Sequence, residues 1–348
     1  MKTKILFLSL SALFLSGCSL VSSSSDGGVF RSDDGGKTFT QKVKIDEKAG
    51  IGAVDVLNMA VNPQNGEEIY IGTKSSGIFK TADGGEKWQE VKVSSTTPGK
   101  AYALVFDSLD PRIIYAAVLV DNRGKIIKSQ DAGSSWKDIY AEPSTGSFVL
   151  ALALNPLDPK KIFAGTTKGQ IIFSDNGGET WKNLYEAKSE VFKIAIDNFN
   201  PDVVFFAVFQ RAPLRTRDGG KTFEDMSEKN IFNRETGLEN TAAIVTDPNR
   251  ENWVYFGTET GLFRSKDGGE NWGLIKILNR PRENAIRGIA INPQNSDEII
   301  YGASQAFYKS VDGGQSWASK QIGGSRTIEA VAYHKQNPGI IFAGMNKR

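Results

Sequence analysis

The side chains best placed for chemistry in this sequence recur. Asp34, Asp83, Asp131, Asn176, Asp218, Asp267 and Asp312 each hold the third position of a phrase [ST]-x-[DN]-x-G-x-x-[WF], first met as "SDDGGKTF" at 32–39. A carboxylate beside glycines suggests a calcium loop or a catalytic acid. Calcium takes about 6–8 oxygen ligands converging on one ion. Each phrase offers one or two, and the copies lie 42–49 residues apart. Asn176 keeps an accepting oxygen without the charge, which suits a turn better than an acid. The expected role is therefore structural. The short Asx side chain accepts hydrogen bonds from nearby backbone N–H groups. Glycine supplies backbone angles that other residues avoid. The closing ring, Trp88, Trp136, Trp181, Trp272, Trp317 or a Phe, anchors the hairpin by burial.

These phrases need elements to hold them. Between successive copies the chain reads as four short strands rich in β-branched and aromatic residues, bounded by Gly, Pro, Asn and Asp. In residues 54–93 these are "VLNMAV", "IYIG", "GIFKT" and "KWQEV", with the repeated phrase turning the third strand into the fourth. A period near 46 residues fits four-stranded propeller blades. The ends are complementary. Residues 28–43 supply only third and fourth strands, and residues 328–344 only first and second. The expected fold is an all-β, seven-bladed propeller of antiparallel blades, its ring closed by pairing the two ends, which removes an open sheet edge. The expected organisation is a signal peptide at 1–17, a short tether at 18–27 and one propeller at 28–348.

The phrase resembles the Asp-box, or bacterial neuraminidase repeat. It is similar to the repeats of sialidases, sortilin-type receptors, xyloglucanase-type glycoside hydrolases and photosystem II assembly factor propellers. These families differ in function on related scaffolds, so the resemblance implies the architecture more firmly than the activity. It also implies that the binding face is the one away from the boxes.

At the N-terminus, Lys2 and Lys4 precede a short apolar run, as in a secretory signal. Leu15-Ser16-Gly17-Cys18 resembles a bacterial lipobox, which implies cleavage before Cys18 and lipid on its thiol. Cys18 is the chain's single cysteine, so an intramolecular disulfide is excluded. The whole chain has 42 Lys+Arg against 40 Asp+Glu, and two lysines leave with the signal. The remainder is formally neutral, which gives no footing for a nucleic-acid partner. The expected location is extracytoplasmic, lipid-anchored to a bacterial membrane, with the outer membrane or the outer face of the cytoplasmic membrane both open. The expected state is a monomer.

On the face opposite the phrases, arginines gather between the fourth and closing blades: Arg211, Arg234, Arg280, Arg282, Arg287 and Arg326, with Phe232 in the longest link. Planar guanidinium groups suit carboxylates and phosphates. With one His (His334, at a strand end) and one Cys, neither a His-rich metal site nor a Ser-His-Asp triad is expected, and no phosphate loop occurs. No metal or cofactor is predicted. The primary reading is a non-enzymatic binding or assembly scaffold with a protein or glycan ligand. The alternative is a glycoside hydrolase or carbohydrate-binding protein, which for hydrolysis needs paired carboxylates. Glu190, Glu239, Glu259 and Glu329 are the candidates on that face.

Overall fold

The computed structural model describes residues 25–93, 99–143, 145–228, 241–280 and 285–347. The signal peptide, Cys18, Phe232, Arg234, Glu239 and Arg282 lie outside the described residues.

The chain forms a seven-bladed propeller, and each blade is a four-stranded antiparallel sheet. Blade one runs Val56–Val61, Ile69–Thr73, Ile78–Thr81 and Gln89–Val91 from the axis outwards. Blades two to six repeat this order, with innermost strands Lys100–Phe106, Val149–Leu154, Val191–Ile196, Thr241–Thr246 and Ile286–Asn292. The closing blade takes Thr327–Tyr333 and Ile341–Asn346 from one end of the sequence and Gly28–Ser32 and Thr40–Lys42 from the other. Its register pairs Val29 with Gly344 and Phe30 with Ala343. The closure expected from the complementary ends is present.

The core is divided into seams. Each of seven buried clusters is shared by two neighbouring blades, as where Val29 and Phe342 of the closing blade meet Val56 and Trp88 of blade one. The second strands explain how closely the blades approach. A Cβ at Gly72 would lie 2.4 Å from the Ala101 carbonyl oxygen of the next blade, and one at Gly165 would lie 2.5 Å from that of Val191. Glycine there lets the neighbouring innermost strand pack against bare backbone.

All seven innermost strands share a feature that hydrophobic patterning does not announce. Each has a register shift against its second strand, between Val56 and Asn58, Ala101 and Ala103, Val149 and Ala151, Val191 and Lys193, Thr241 and Ala243, Ile286 and Gly288, and Ile328 and Ala330. A bulge leaves one residue unpaired and re-aims side chains. The residues so placed are Leu57, Tyr102, Leu150, Phe192, Ala242, Arg287 and Glu329, all partly exposed.

Two turn systems define the faces. In every blade an N–H of the third-to-fourth-strand hairpin donates to a carbonyl of the first-to-second-strand turn, as Gly84 to Glu67 (2.8 Å) and Gly268 to Asn252 (2.8 Å). These turns therefore share one face. The second-to-third-strand turns reach the starts of the innermost strands instead, as Lys74 N–H to Asp55 O and Phe209 N–H to Glu190 O.

Candidate functional site

The hairpins bearing the seven repeated Asp and Asn residues are closed hydrogen-bond networks. Asp218 Oδ1 accepts from Thr216 Oγ1 (2.8 Å), Lys221 N (3.0 Å) and Thr222 N (2.9 Å), and its Oδ2 accepts from Thr222 Oγ1 (2.6 Å). Thr216 Oγ1 in turn accepts from Gly220 N at 2.8 Å. Gly219 and Gly220 hold φ of 69° and 91°, a region that strongly favours glycine. Asn176 reproduces the pattern: Oδ1 accepts from Ser174 Oγ and Thr180 N, and Nδ2 donates to Thr180 Oγ1. Hydroxyl donors, then backbone N–H groups, hold Asp34, Asp131, Asp218 and Asp312 well below the usual carboxylate range, Asp131 and Asp312 to about 2. Such groups stay ionised and fully engaged at neutral pH. No cluster of three or more potential metal-binding His, Cys, Asp or Glu occurs among the described residues.

The aromatic rings tie blade to blade. Trp88 is fully buried, and its indole N–H donates to Lys42 O of the closing blade at 2.9 Å. Trp181 and Trp317 make the same reach to Ile139 O and Lys276 O of their preceding blades. Trp136 and Trp272 donate within their own hairpins, to Gly133 O and Gly269 O.

The opposite face holds cations without direct partners. There the bulges set Arg287 of blade six and Glu329 of the closing blade at the mouth of the central channel, with Lys193 of blade four one position deeper. Burial lowers the Lys193 ammonium, partly offset by Glu329, and Arg287 lowers it further. Burial also lowers Arg287, against the attraction of Glu329 and the exposed rim residue Glu259. Among the described residues, neither cation has a hydrogen-bond or direct ion-pair partner. Glu329 Oε2 accepts from Asn346 Nδ2 at 3.3 Å, and the buried Asn346 Oδ1 has no hydrogen-bond donor among the described residues. Among the described residues, the innermost strand of blade five presents Ala242 and Ala243 here, and its rim turn presents Glu259. The remaining wall includes Leu57, Leu150, Phe192 and Tyr102, which stacks on Phe148 at 6.0 Å and feels the nearby carboxylate of Glu190.

The other predicted arginines do not join this cluster. Arg326 is buried, donates to Asp26 (3.1 Å), Asp55 and Ala53 O (2.9 Å), and thereby clasps the seam between the closing blade and blade one. Arg211 is exposed and lines a cleft of about 70 Å³ with Tyr185, Glu186 and Asp225. Arg280 is exposed in the link that follows blade five. Sequence reasoning missed Lys193. The available signal was a lysine inside "VFKIAI", where the other innermost strands carry Asn, Ala or Gly.

Fold and site together define a seven-bladed β-propeller with a closed hairpin face and a charged channel mouth. Residues 27–148 match the family described as sortilin, neurotensin receptor 3, and residues 185–337 match the photosynthesis system II assembly factor YCF48 family. Among solved structures, the GH74 xyloglucanase from Xanthomonas campestris superposes with a TM-score of 0.71 at 14% identity, over 84% of this chain and 51% of that one. The chain thus spans about half the length of that enzyme. YCF48 bound to D1 peptide gives 0.63 at 16% identity, over 84% and 94%. YCF48 from Cyanidioschyzon merolae gives 0.61 at 13% identity, over 84% and 95%. At these identities the likeness establishes the fold. No curated protein matches the chain in sequence.

Proposed function

We propose that this protein is a lipid-anchored extracytoplasmic scaffold that binds a protein partner through the channel mouth opposite the hairpins, without catalysing a reaction. One observation carries the reading. Lys193 and Arg287 are desolvated cations without direct partners at that mouth, while the hairpin carboxylates are engaged. Cations kept where burial is costly favour a ligand that supplies the missing anion. The YCF48 neighbour was solved with a bound peptide, which supports a protein ligand. The anchor reading rests on Cys18 and its neighbours. It fits the clasp, because Asp26 accepts hydrogen bonds from Ser325 Oγ (3.0 Å) and Arg326 Nε (3.1 Å) on the binding side. A tether ending there would hold the binding mouth near the membrane.

Membranes carrying the full chain, cross-linked and solubilised, provide the test. A specific partner should be recovered by the natural sequence and lost with Arg287→Ala and Lys193→Ala without a fall in Tm. An identical partner set in the variants overturns the site. Cys18→Ser should release the protein from the membrane fraction, and retention there overturns the anchor. Release of reducing ends from glycans, abolished by Glu329→Gln, would replace the scaffold reading with a hydrolase.

A further inference from the structure

The hairpin-side mouth of the channel breaks the sevenfold pattern in a way that binding at the other mouth does not explain. The second residue after each turn-capping Asx or His is Gln64, Leu109, Leu157, Phe199, Asn249, Gln294 and Gln336 in blades one to seven. The four polar ones stitch neighbouring turns together. Gln64 donates to Leu109 O, Asn249 to Asn292 O, Gln294 to Gln336 O and Gln336 to Pro63 O. Blades two to four instead present Leu109, Leu157 and Phe199, which are 66%, 65% and 48% exposed. Three large apolar side chains thus stand exposed at equivalent positions of consecutive blades, a crescent of apolar surface of the kind that marks an interaction site.

The turns that carry them line a cavity of about 480 Å³ through Ser108, Pro156 and Asn198. Its wall includes the apolar side chains of Met59, Phe106, Leu154, Ile194 and Ile196 beside polar surface, and one ammonium, Lys335, stands in it. Lys335 is solvent-exposed within the channel, and among the described residues it has no hydrogen-bond or ion-pair partner, which leaves its ammonium open to an anion. A cavity of this size is in the range of small-ligand sites, which are mostly apolar with a few polar groups fixing orientation. An apolar tail would fill the channel, and one negative head group would neutralise the one cation.

We infer that this mouth binds an amphiphile with a single carboxylate and a medium-length apolar chain, its head paired with Lys335 and its tail between Phe106, Leu154, Ile194 and Ile196.

Calorimetric titration of the folded protein with sodium decanoate tests this, alongside decyltrimethylammonium (same tail, opposite charge) and acetate (head alone). Decanoate should bind saturably, one per chain and below its micellar concentration, at least tenfold more tightly than either control. Lys335→Met should weaken binding at least tenfold with Tm unchanged, and Lys335→Arg should retain it. Filling the cavity through Ala153→Phe should also abolish binding. Equal binding of decyltrimethylammonium, undiminished binding by Lys335→Met, or absence of saturable decanoate binding overturns the inference. The last result would leave the crescent to a macromolecular partner.

Discussion

The two faces of the propeller treat charge in opposite ways. On the hairpin face, Asp218 accepts four hydrogen bonds and Asn176 serves the same geometry uncharged. At the opposite mouth, Lys193 and Arg287 are partly desolvated and have no direct partner, with the carboxylates of Glu329 and Glu259 acting only from a distance. A buried polar group is neutral or favourable when satisfied and costly when it is not. The first arrangement therefore serves folding, and the second costs stability unless something binds. The repeated motif builds the blades, while the bulges and the residues beside them, unlike from blade to blade, shape the candidate site.

If the hairpin side is the stabilising region, its buried ring should be the most sensitive position. Trp88→Ala deletes a fully buried indole in the seam with the closing blade, and about 3–5 kcal/mol of stability should be lost. Trp136→Ala should cost less, because Trp136 is only partly buried and bonds within its own hairpin. Urea unfolding of both variants checks the order, and equal costs would break the link between these rings and the seams. Next comes Arg326→Ala. It leaves Asp26 and Asp55 without their shared cation at the ring's closing seam, at a cost of about 2–3 kcal/mol, since the acids keep some solvent contact. A loss of protease resistance starting near residue 26 would accompany it. If Arg326→Ala changes partner binding at unchanged stability, Arg326 belongs to the ligand face and not to the clasp.

The fold was legible because its information is local and repeated. The phrase, four strand runs and complementary half-blades state the architecture without any long-range knowledge, as the Val29–Gly344 pairing illustrates. The site was less legible because it depends on a bulge and on distance around a ring. Arg287 and Arg326 lie on the same part of the sequence and look alike there. Only the fold separates a guanidinium without a direct partner from one clasped between Asp26 and Asp55. Lys193 is a single charge inside an apolar strand, and only the fold brings it near Arg287 and Glu329. His334 was equally opaque. It takes the turn-capping position that Asn62, Asp107, Asn155, Asp197, Asp247 and Asn292 hold in the other blades.

The sign of a substitution can reverse between the faces. Lys193→Met removes a desolvated charge and keeps an apolar stem of similar length, so stability should rise by about 1 kcal/mol. Any partner held through that mouth should bind more weakly at the same time. A fall in Tm would mean that the ammonium is satisfied in the unliganded protein, and the contrast between the faces would then disappear.

The smallest effect concerns the one capping residue that is an imidazole, whose ordinary pKa lies near neutrality. His334 is buried, and its Nδ1 accepts from Gln336 N (3.2 Å) and Asn337 N (3.0 Å), which requires an unprotonated nitrogen there. Glu67 Oε1 lies 3.5 Å from Nε2, and Arg31 bridges to the same carboxylate group at 2.8 Å. Burial lowers the imidazole pKa below 6.5, Arg31 lowers it further, and Glu67 opposes both. The unfolded chain then binds the proton more readily than the folded one. Stability from this group is complete above about pH 6.5 and is lost as pH falls through the lower folded value. Asp131 and Asp312, held at about 2, stay ionised throughout and do not confuse the reading. Thermal unfolding between pH 7.5 and 5 should show a decline that His334→Asn reduces, since an amide oxygen accepts the same two bonds without titrating. An equal decline in both proteins would assign the pH sensitivity elsewhere and leave His334 as a cap whose proton does not matter.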